Sequence, residues 1–157
     1  CLLLARNPKA LKRFAKAFED RIVAKRYLGI LAGVPDATAG TVELALAKIS
    51  SAGAGWRMIP AKKGKPSVTH WRVISEAEGR ALVEFRPETG RTHQIRVHAA
   101  SGIGVPLLGD PVYGSKTGAA RTMLHAARLE VPRAGKPAIV AAAPLPGDFA
   151  VLGFSDE

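Results

Sequence analysis

Residues 86–98 read Arg-Pro-Glu-Thr-Gly-Arg-Thr-His-Gln-Ile-Arg-Val-His, placing three arginines and two histidines in thirteen positions. On a short helix over residues 92–101, His93 and Arg96 are three apart and share a face, while Ile95 and Ala99 pack elsewhere. Two arginines near a helix N-terminus, beside unpaired backbone N–H groups, make a phosphate site. Arg96 could alternatively hold a buried carboxylate in a bidentate pair. An ordinary basic surface helix is the third reading that the spacing allows.

Other chemistries find less material. His93 and His98 are five apart, roughly 140° around a helix, so they do not converge on a metal. No His-Glu-x-x-His pattern occurs, and His70 and His125 stand alone, so no metal is expected. No Gly-x-Ser-x-Gly elbow is present, and Gly102-Ile103-Gly104 is too slight for a nucleotide fingerprint.

The elements that must position this segment are set by a chain of 157 residues, the length of one domain. With 47% hydrophobic residues it can bury a real core, and sixteen Gly and eleven Pro call for many turns. One cysteine excludes an internal disulfide and fits a reducing, cytoplasmic setting. No stretch approaches the roughly 20 apolar residues that span a bilayer. The net charge of +10 is clustered: residues 1–26 hold eight Lys and Arg against Glu19 and Asp20, and residues 57–72 hold five with no acid. The sign reverses at the end, with Asp148, Asp156 and Glu157. Clustered cations suit a polyanion, and nucleic acid is favoured over membrane because no basic segment pairs with a broad apolar helix face.

Asn7-Pro8 is a helix start, and Leu11, Phe14, Ala15 and Phe18 recur at helical spacing, predicting an amphipathic helix over 8–19. Strands are expected at 22–32, 41–46, 68–74, 81–85, 123–131 and 138–142, with a short closing helix near 146–149. Residues 51–66, with Gly53, Gly55, Pro60, Gly64 and Pro66, read as an exposed, mobile basic loop, and 102–113 as turn-rich. The pattern is that of a single α+β domain.

Arg86–His98, followed after a spacer by Pro106-Leu-Leu-Gly-Asp-Pro-Val-Tyr-Gly114, resembles the RluA-type RNA pseudouridine synthases. The resemblance runs along nearly the whole chain. Leu2-Leu-Leu-Ala-Arg-Asn7 is similar to the strand end after the family's catalytic motif, and Lys25-Arg-Tyr-Leu28 to its Lys-x-Tyr motif. Thr69-x-Trp-Arg-Val-Ile74, Leu124-His-Ala126 and Ala143-Pro144 match later strands.

The resemblance implies a mixed, mainly antiparallel β-sheet with flanking helices, and RNA bound across a basic cleft. It implies isomerisation of uridine to pseudouridine in structured ribosomal or transfer RNA, without metal, cofactor or energy source. Tyr27 matches the tyrosine that lies against the uracil and removes the C5 proton once a neighbouring charge lowers its pKa. Arg96 matches the arginine that pairs with the catalytic aspartate; lacking that partner it would face a cleft or solvent. Arg91, Thr92, His93 and Gln94, with Lys25 and Arg26, are expected to position RNA or brace the site. Gly109-Asp110-Pro111 reads as a structural turn.

The family's aspartate sits in a His-Arg-Leu-Asp-x-x-Thr-Ser-Gly motif directly before the stretch matching Cys1-Leu-Leu-Leu, and that motif is not in this sequence. None of Asp20, Asp36, Asp110, Asp148 and Asp156 replaces it on motif grounds. Residues 1–157 are therefore expected to be a catalytic domain lacking its N-terminal portion, inactive alone, and monomeric by default. The alternatives are a non-catalytic RNA-binding protein and a nuclease or metal hydrolase, the last disfavoured by the lack of carboxylate clusters.

Overall fold

The computed structural model describes residues 1–53 and 55–155. Asp156 and Glu157, part of the acidic end, lie outside the described residues. Helix α1 spans Pro8–Glu19, where Asn7 caps the first turn by accepting the Ala10 N–H at 2.9 Å. Strands follow at β1 Ala24–Leu31, β2 Ala39–Ser51, β3 Gly55–Pro60, β4 Lys65–Ala77 and β5 Arg80–Pro87. Helix α2 is only Gln94–Val97 and runs into a π-helical segment, His98–Ile103. Strands β6 Leu124–Arg133 and β7 Lys136–Ala142 precede α3, Gly147–Val151.

The seven strands form one sheet in the order β3-β2-β4-β5-β1-β6-β7, antiparallel at every pairing. This is the expected α+β architecture with helices against an antiparallel sheet. Period-two alternation divides the core between its faces. On the first face Leu31, Val42, Trp71, Val83 and Phe85 pack under Ile95 of α2 and Ala99 of the π-helical segment. On the second, Leu28, Ile30 and Leu82 pack under Phe149 and Phe154. Among the described residues no helix is long and apolar enough to cross a membrane.

Three expectations need correction. Residues 51–66 are not a loop throughout: β3 pairs with β2 from Leu46↔Pro60 to Ser51↔Gly55. The prolines and glycines sit where a hairpin tolerates them. Pro60 ends an edge strand that needs no further donor. At Gly64 a Cβ would lie 2.5 Å from the Leu46 carbonyl carbon, so the β3–β4 turn can press against β2 only with glycine there. The helix over 92–101 is shorter than read and changes pitch at His98. Of the apolar face of α1, Ala17 is buried and Phe14 half-buried, whereas Leu11 and Phe18 are exposed.

Candidate active site

The turn between β5 and α2 is held by Gln94, which is buried and uses its whole amide. Its Oε1 accepts from the Thr89 hydroxyl at 2.7 Å and the Arg91 N–H at 2.9 Å. Its Nε2 donates to Val68 O and Thr69 Oγ1, both at 2.9 Å. Thr89 Oγ1 in turn accepts the Val68 N–H at 3.1 Å. Of the two roles expected for Gln94, positioning RNA or bracing the site, the geometry is that of bracing: the amide stitches the turn to β4 and has no hydrogen-bonding capacity left for a ligand.

With the turn fixed, Arg96 points at Asp110. Nε meets Oδ2 and Nη2 meets Oδ1, each at 2.7 Å, and the carboxylate is 0% exposed. Asp110 also accepts the Val112 and Tyr113 N–H groups at 2.9 and 3.1 Å. Burial pushes the Asp110 carboxyl up, but the hydrogen bonds from Arg96 and the two amides outweigh it and hold it below its usual range. Arg96, bonded to Asp110, is held above its ordinary value against the effect of burial. The expectation that Arg96 faces a cleft or solvent is therefore wrong, and Asp110, expected as part of a structural turn, is also the partner of Arg96. The bidentate pair with a buried carboxylate, one of the three readings of the spacing, is what the fold builds.

Gly109 makes this possible. Its φ is +72°, and a Cβ there would lie 2.2 Å from Arg121 O. Leu108 is pinned alongside β1 by donating its N–H to Ile30 O at 2.9 Å. Asp110 is delivered by a turn that is anchored on one side and tightly packed on the other.

His93 adopts φ 54°, ψ 18°, a left-handed conformation for a non-glycine residue. Its ring stacks on Trp56 of β3, centroids 5.0 Å apart and 19° from parallel, and its Nδ1 lies 2.9 Å from the Tyr113 hydroxyl. Tyr113 accepts the Met58 N–H at 2.9 Å, and the Arg96 guanidinium lies 5.0 Å over its ring. Burial and the nearby Arg96 charge push the His93 imidazole down, against a smaller pull from Asp110. Trp56, Tyr113 and Asp110 are site residues that sequence reasoning missed. The Gly-Asp-Pro-Val-Tyr-Gly run was the signal for two of them; nothing local marked Trp56.

His98, one helical turn beyond Gln94, is fully buried. Ser67 donates its hydroxyl to Leu44 O at 2.6 Å, so Ser67 Oγ accepts from His98 Nε2 at 2.8 Å and the proton sits on Nε2. Nδ1 has no partner among the described residues, and burial pushes the imidazole down to about 4.

The remaining predicted residues are spread over both faces. Tyr27 of β1 is half-buried against the first-face core, the side that carries α2. Burial pushes its phenol up, and among the described residues no neighbouring charge lowers it, contrary to expectation. Lys25 reaches across to Thr89 O at 3.2 Å. Arg91 donates to Pro66 O at 3.1 Å and stays half-exposed, and Thr92 is exposed. Arg26 points to the second face, where it pairs with buried Glu84, so it does not share the side of Tyr27. The Cys1 amino nitrogen donates to Ala126 O at 2.6 Å, and Ala126 is the strand partner of Tyr27. Among the described residues no group of three or more His, Cys, Asp or Glu could hold a metal ion.

The chain as a whole is similar to known proteins. The chain is 54% identical over 156 residues to an uncharacterized RNA pseudouridine synthase of Zymomonas mobilis, a match covering 98% of this chain and 71% of that protein. It is 40% identical over 124 residues to the ribosomal large subunit pseudouridine synthase D of the same organism, covering 79% of this chain but 38% of that one. Human RNA pseudouridylate synthase domain containing 1 superposes with a TM-score of 0.76 at 30% identity, over 89% of this chain and 62% of that one. Human RNA pseudouridylate synthase domain containing 4 gives 0.74 at 26% identity, over 92% and 66%. The RNA pseudouridylate synthase family model matches residues 1–101, from the first residue through the turn, Arg96 and His98, and the chain belongs to that family.

Proposed function

We propose that this chain forms the core of an RluA-type RNA pseudouridine synthase, which converts uridine to pseudouridine within structured RNA. The observation that carries the reading is the Arg91–Arg96 turn, locked by Gln94 and Asp110 on the face of the sheet that also presents Tyr27. In the reaction the N1–C1′ bond of uridine breaks, the uracil turns, C5 bonds to C1′, and the C5 proton moves to N1. Atoms balance without a cofactor. The base must first leave its stack, at a cost of a few kcal/mol that backbone contacts offset.

Arg96 has five N–H donors, and Asp110 takes two of them, Nε and one on Nη2. The Nη1 side remains for a second carboxylate, the nucleophilic aspartate of the family. By the resemblance that aspartate precedes the stretch matching Cys1–Leu4, and Cys1 lies beside the strand partner of Tyr27. Asp110 in this reading is a positioning residue that fixes the angle of Arg96. Tyr27 abuts the uracil and takes the C5 proton, which requires a neighbouring positive charge to offset the effect of burial on its phenol.

Large-subunit ribosomal RNA is the favoured substrate, since the Zymomonas synthase D is named for that subunit and so are the synthase C proteins of two Rickettsia species, each 34% identical over 116 residues. We further propose a cytoplasmic monomer. The test is release of tritium from RNA labelled at uridine C5. Release is expected from protein carrying the aspartate motif and none from residues 1–157 alone. RNA binding without release by the motif-bearing protein would leave the non-catalytic reading in its place.

A further inference from the structure

The second face of the sheet carries a feature that the proposed reaction does not use. Glu84 of β5 is 2% exposed and is met by arginines from three strands: Arg26 of β1, Arg72 of β4 at 3.0 Å and Arg86 of β5 itself at 2.9 Å. All three approach through Nε. Burial pushes the Glu84 carboxyl up, yet the hydrogen bonds from Arg72 and Arg26 and the charge of Arg86 hold it at about 2. Arg26 and Arg86 by themselves carry one positive charge more than Glu84 offsets.

The geometry decides where that excess points. A guanidinium held by Nε leaves its Nη1 side turned away from the carboxylate, an edge that can grip a phosphate. Among the described residues, no protein acceptor meets the Nη groups of Arg26 or Arg86. Arg128 of β6 stands opposite Arg26 in the β1–β6 ladder, and its only ion pair among the described residues is with Glu130, at 3.2 Å. Arg26, Arg86 and Arg128 line one hollow and keep between 38 and 63% exposure. A buried ion pair is a poor device for stability alone, since an apolar residue of the same size packs as well. A carboxylate under several arginines instead keeps side by side cations that would otherwise repel one another apart.

The hollow connects to the first face. Lys25 lines it and also donates from Nζ to Thr89 O, in the turn that leads to Arg91. Arg91, Lys25, Arg86, Arg26 and Arg128 thus make a cationic path around the end of β5.

We propose that Arg26, Arg86 and Arg128 form a second RNA-binding face, which grips phosphates of the strand flanking the target uridine as that strand leaves the Tyr27 side and passes round the end of the sheet. The inference rests on the RNA substrate proposed above. It makes recognition depend on the length of RNA outside the target loop.

The experiment uses the full-length protein and two fluorescein-labelled RNA hairpins, one limited to a uridine-containing loop on a short stem and one with the same loop and extended flanks. Arg128→Gln leaves Glu84 with all its partners, so its folding is secure; Arg86→Gln is measured beside it. Each substitution is expected to weaken binding of the extended hairpin roughly three- to tenfold and to reduce the slope of log K against log salt by about 0.7–0.9, the value of one phosphate contact. The short hairpin is expected to bind unchanged. Equal loss on both probes, or loss on neither, overturns the second face. Tritium release by the wild type with no effect of the variants removes this inference and leaves the pseudouridine synthase reading. Length-dependent loss without tritium release does the reverse.

Discussion

Arg96 and Asp110 meet through two parallel hydrogen bonds of 2.7 Å, joining the first helix after β5 to a turn fourteen residues further on. The pair sits between Tyr113, whose ring underlies the guanidinium, and the buried end of β1, against which Leu108 is pinned. Removing one partner of such a pair leaves the other charge buried without compensation.

Asp110→Asn is therefore expected to destabilise the fold by about 3 kcal/mol, the scale for breaking a buried ion pair from one side. Arg96→Gln should cost less, because Asp110 keeps two backbone donors. The double variant should be more stable than the sum of the single losses implies. Urea unfolding midpoints across the four proteins measure this, and strict additivity would remove the pairing from the argument.

Gln94→Ala deletes an amide that satisfies four internal groups. The Thr69 and Thr89 hydroxyls can turn elsewhere, but the Val68 carbonyl and Arg91 N–H lose a buried partner. A loss of roughly 2–3 kcal/mol is expected. Because Arg96 lies two residues on, tritium release should fall further than RNA affinity. Equal falls in both would make Gln94 an RNA contact after all.

His98 and Glu84 act in different parts of the acid range. The folded imidazole titrates at about 4 against an ordinary 6.5, so between those values the unfolded chain binds more protons and stability rises with pH. That stability is lost as pH falls from 6.5 through about 4. The contribution of Glu84, whose folded value is about 2 against 4.5, is lost only below pH 4.5. Thermal midpoints measured from pH 8 to 3 should thus begin to drop near pH 6.5, before the carboxylates respond. His98→Phe should flatten the slope between pH 6.5 and 4.5 and leave the lower limb in place. An unchanged slope would assign the early drop to another group.

Much of this arrangement is written in local pattern. Asn7-Pro8 announces α1, and alternation marks β4, which buries one face, whereas β5 is a short run buried on both. The run from Arg86 to His98 names its family through side chains that the fold then uses almost entirely for its own bracing. What the sequence withholds is pairing at a distance. Glu84 reads as one polar position in a strand, since the arginines that meet it come from β1 and β4 as well as β5. Asp110 reads as a turn residue because Gly109 and Pro111 flank it, and only the turn's packing against Arg121 shows what the turn delivers. β3 was hidden by its punctuation: glycines and a proline that close a hairpin look, one at a time, like those of a loop. Trp56 became legible only when the hairpin laid it on His93.

Trp56→Ala tests that clasp. Stacking and edge-on aromatic pairs contribute about 0.5–1.5 kcal/mol beyond area, so global stability should fall by that order. The local effect should be larger, since β3 is an edge strand held on one side only. Amide hydrogen exchange over residues 55–60 is expected to accelerate while β4 and β5 stay protected. Uniform acceleration would mean the ring supports the whole core rather than the hairpin.

Tyr27→Phe addresses the chemistry most directly. The hydroxyl is held on a half-buried ring whose burial disfavours the phenolate. Removing it should leave the packing against the first-face core, and RNA affinity, close to those of the wild type. If the hydroxyl accepts the C5 proton, tritium release from protein carrying the aspartate motif should fall by at least about 100-fold, the lower range for losing a positioned general base. A full rate in Tyr27→Phe would show that the ring supplies only contact area and that the proton leaves by another route.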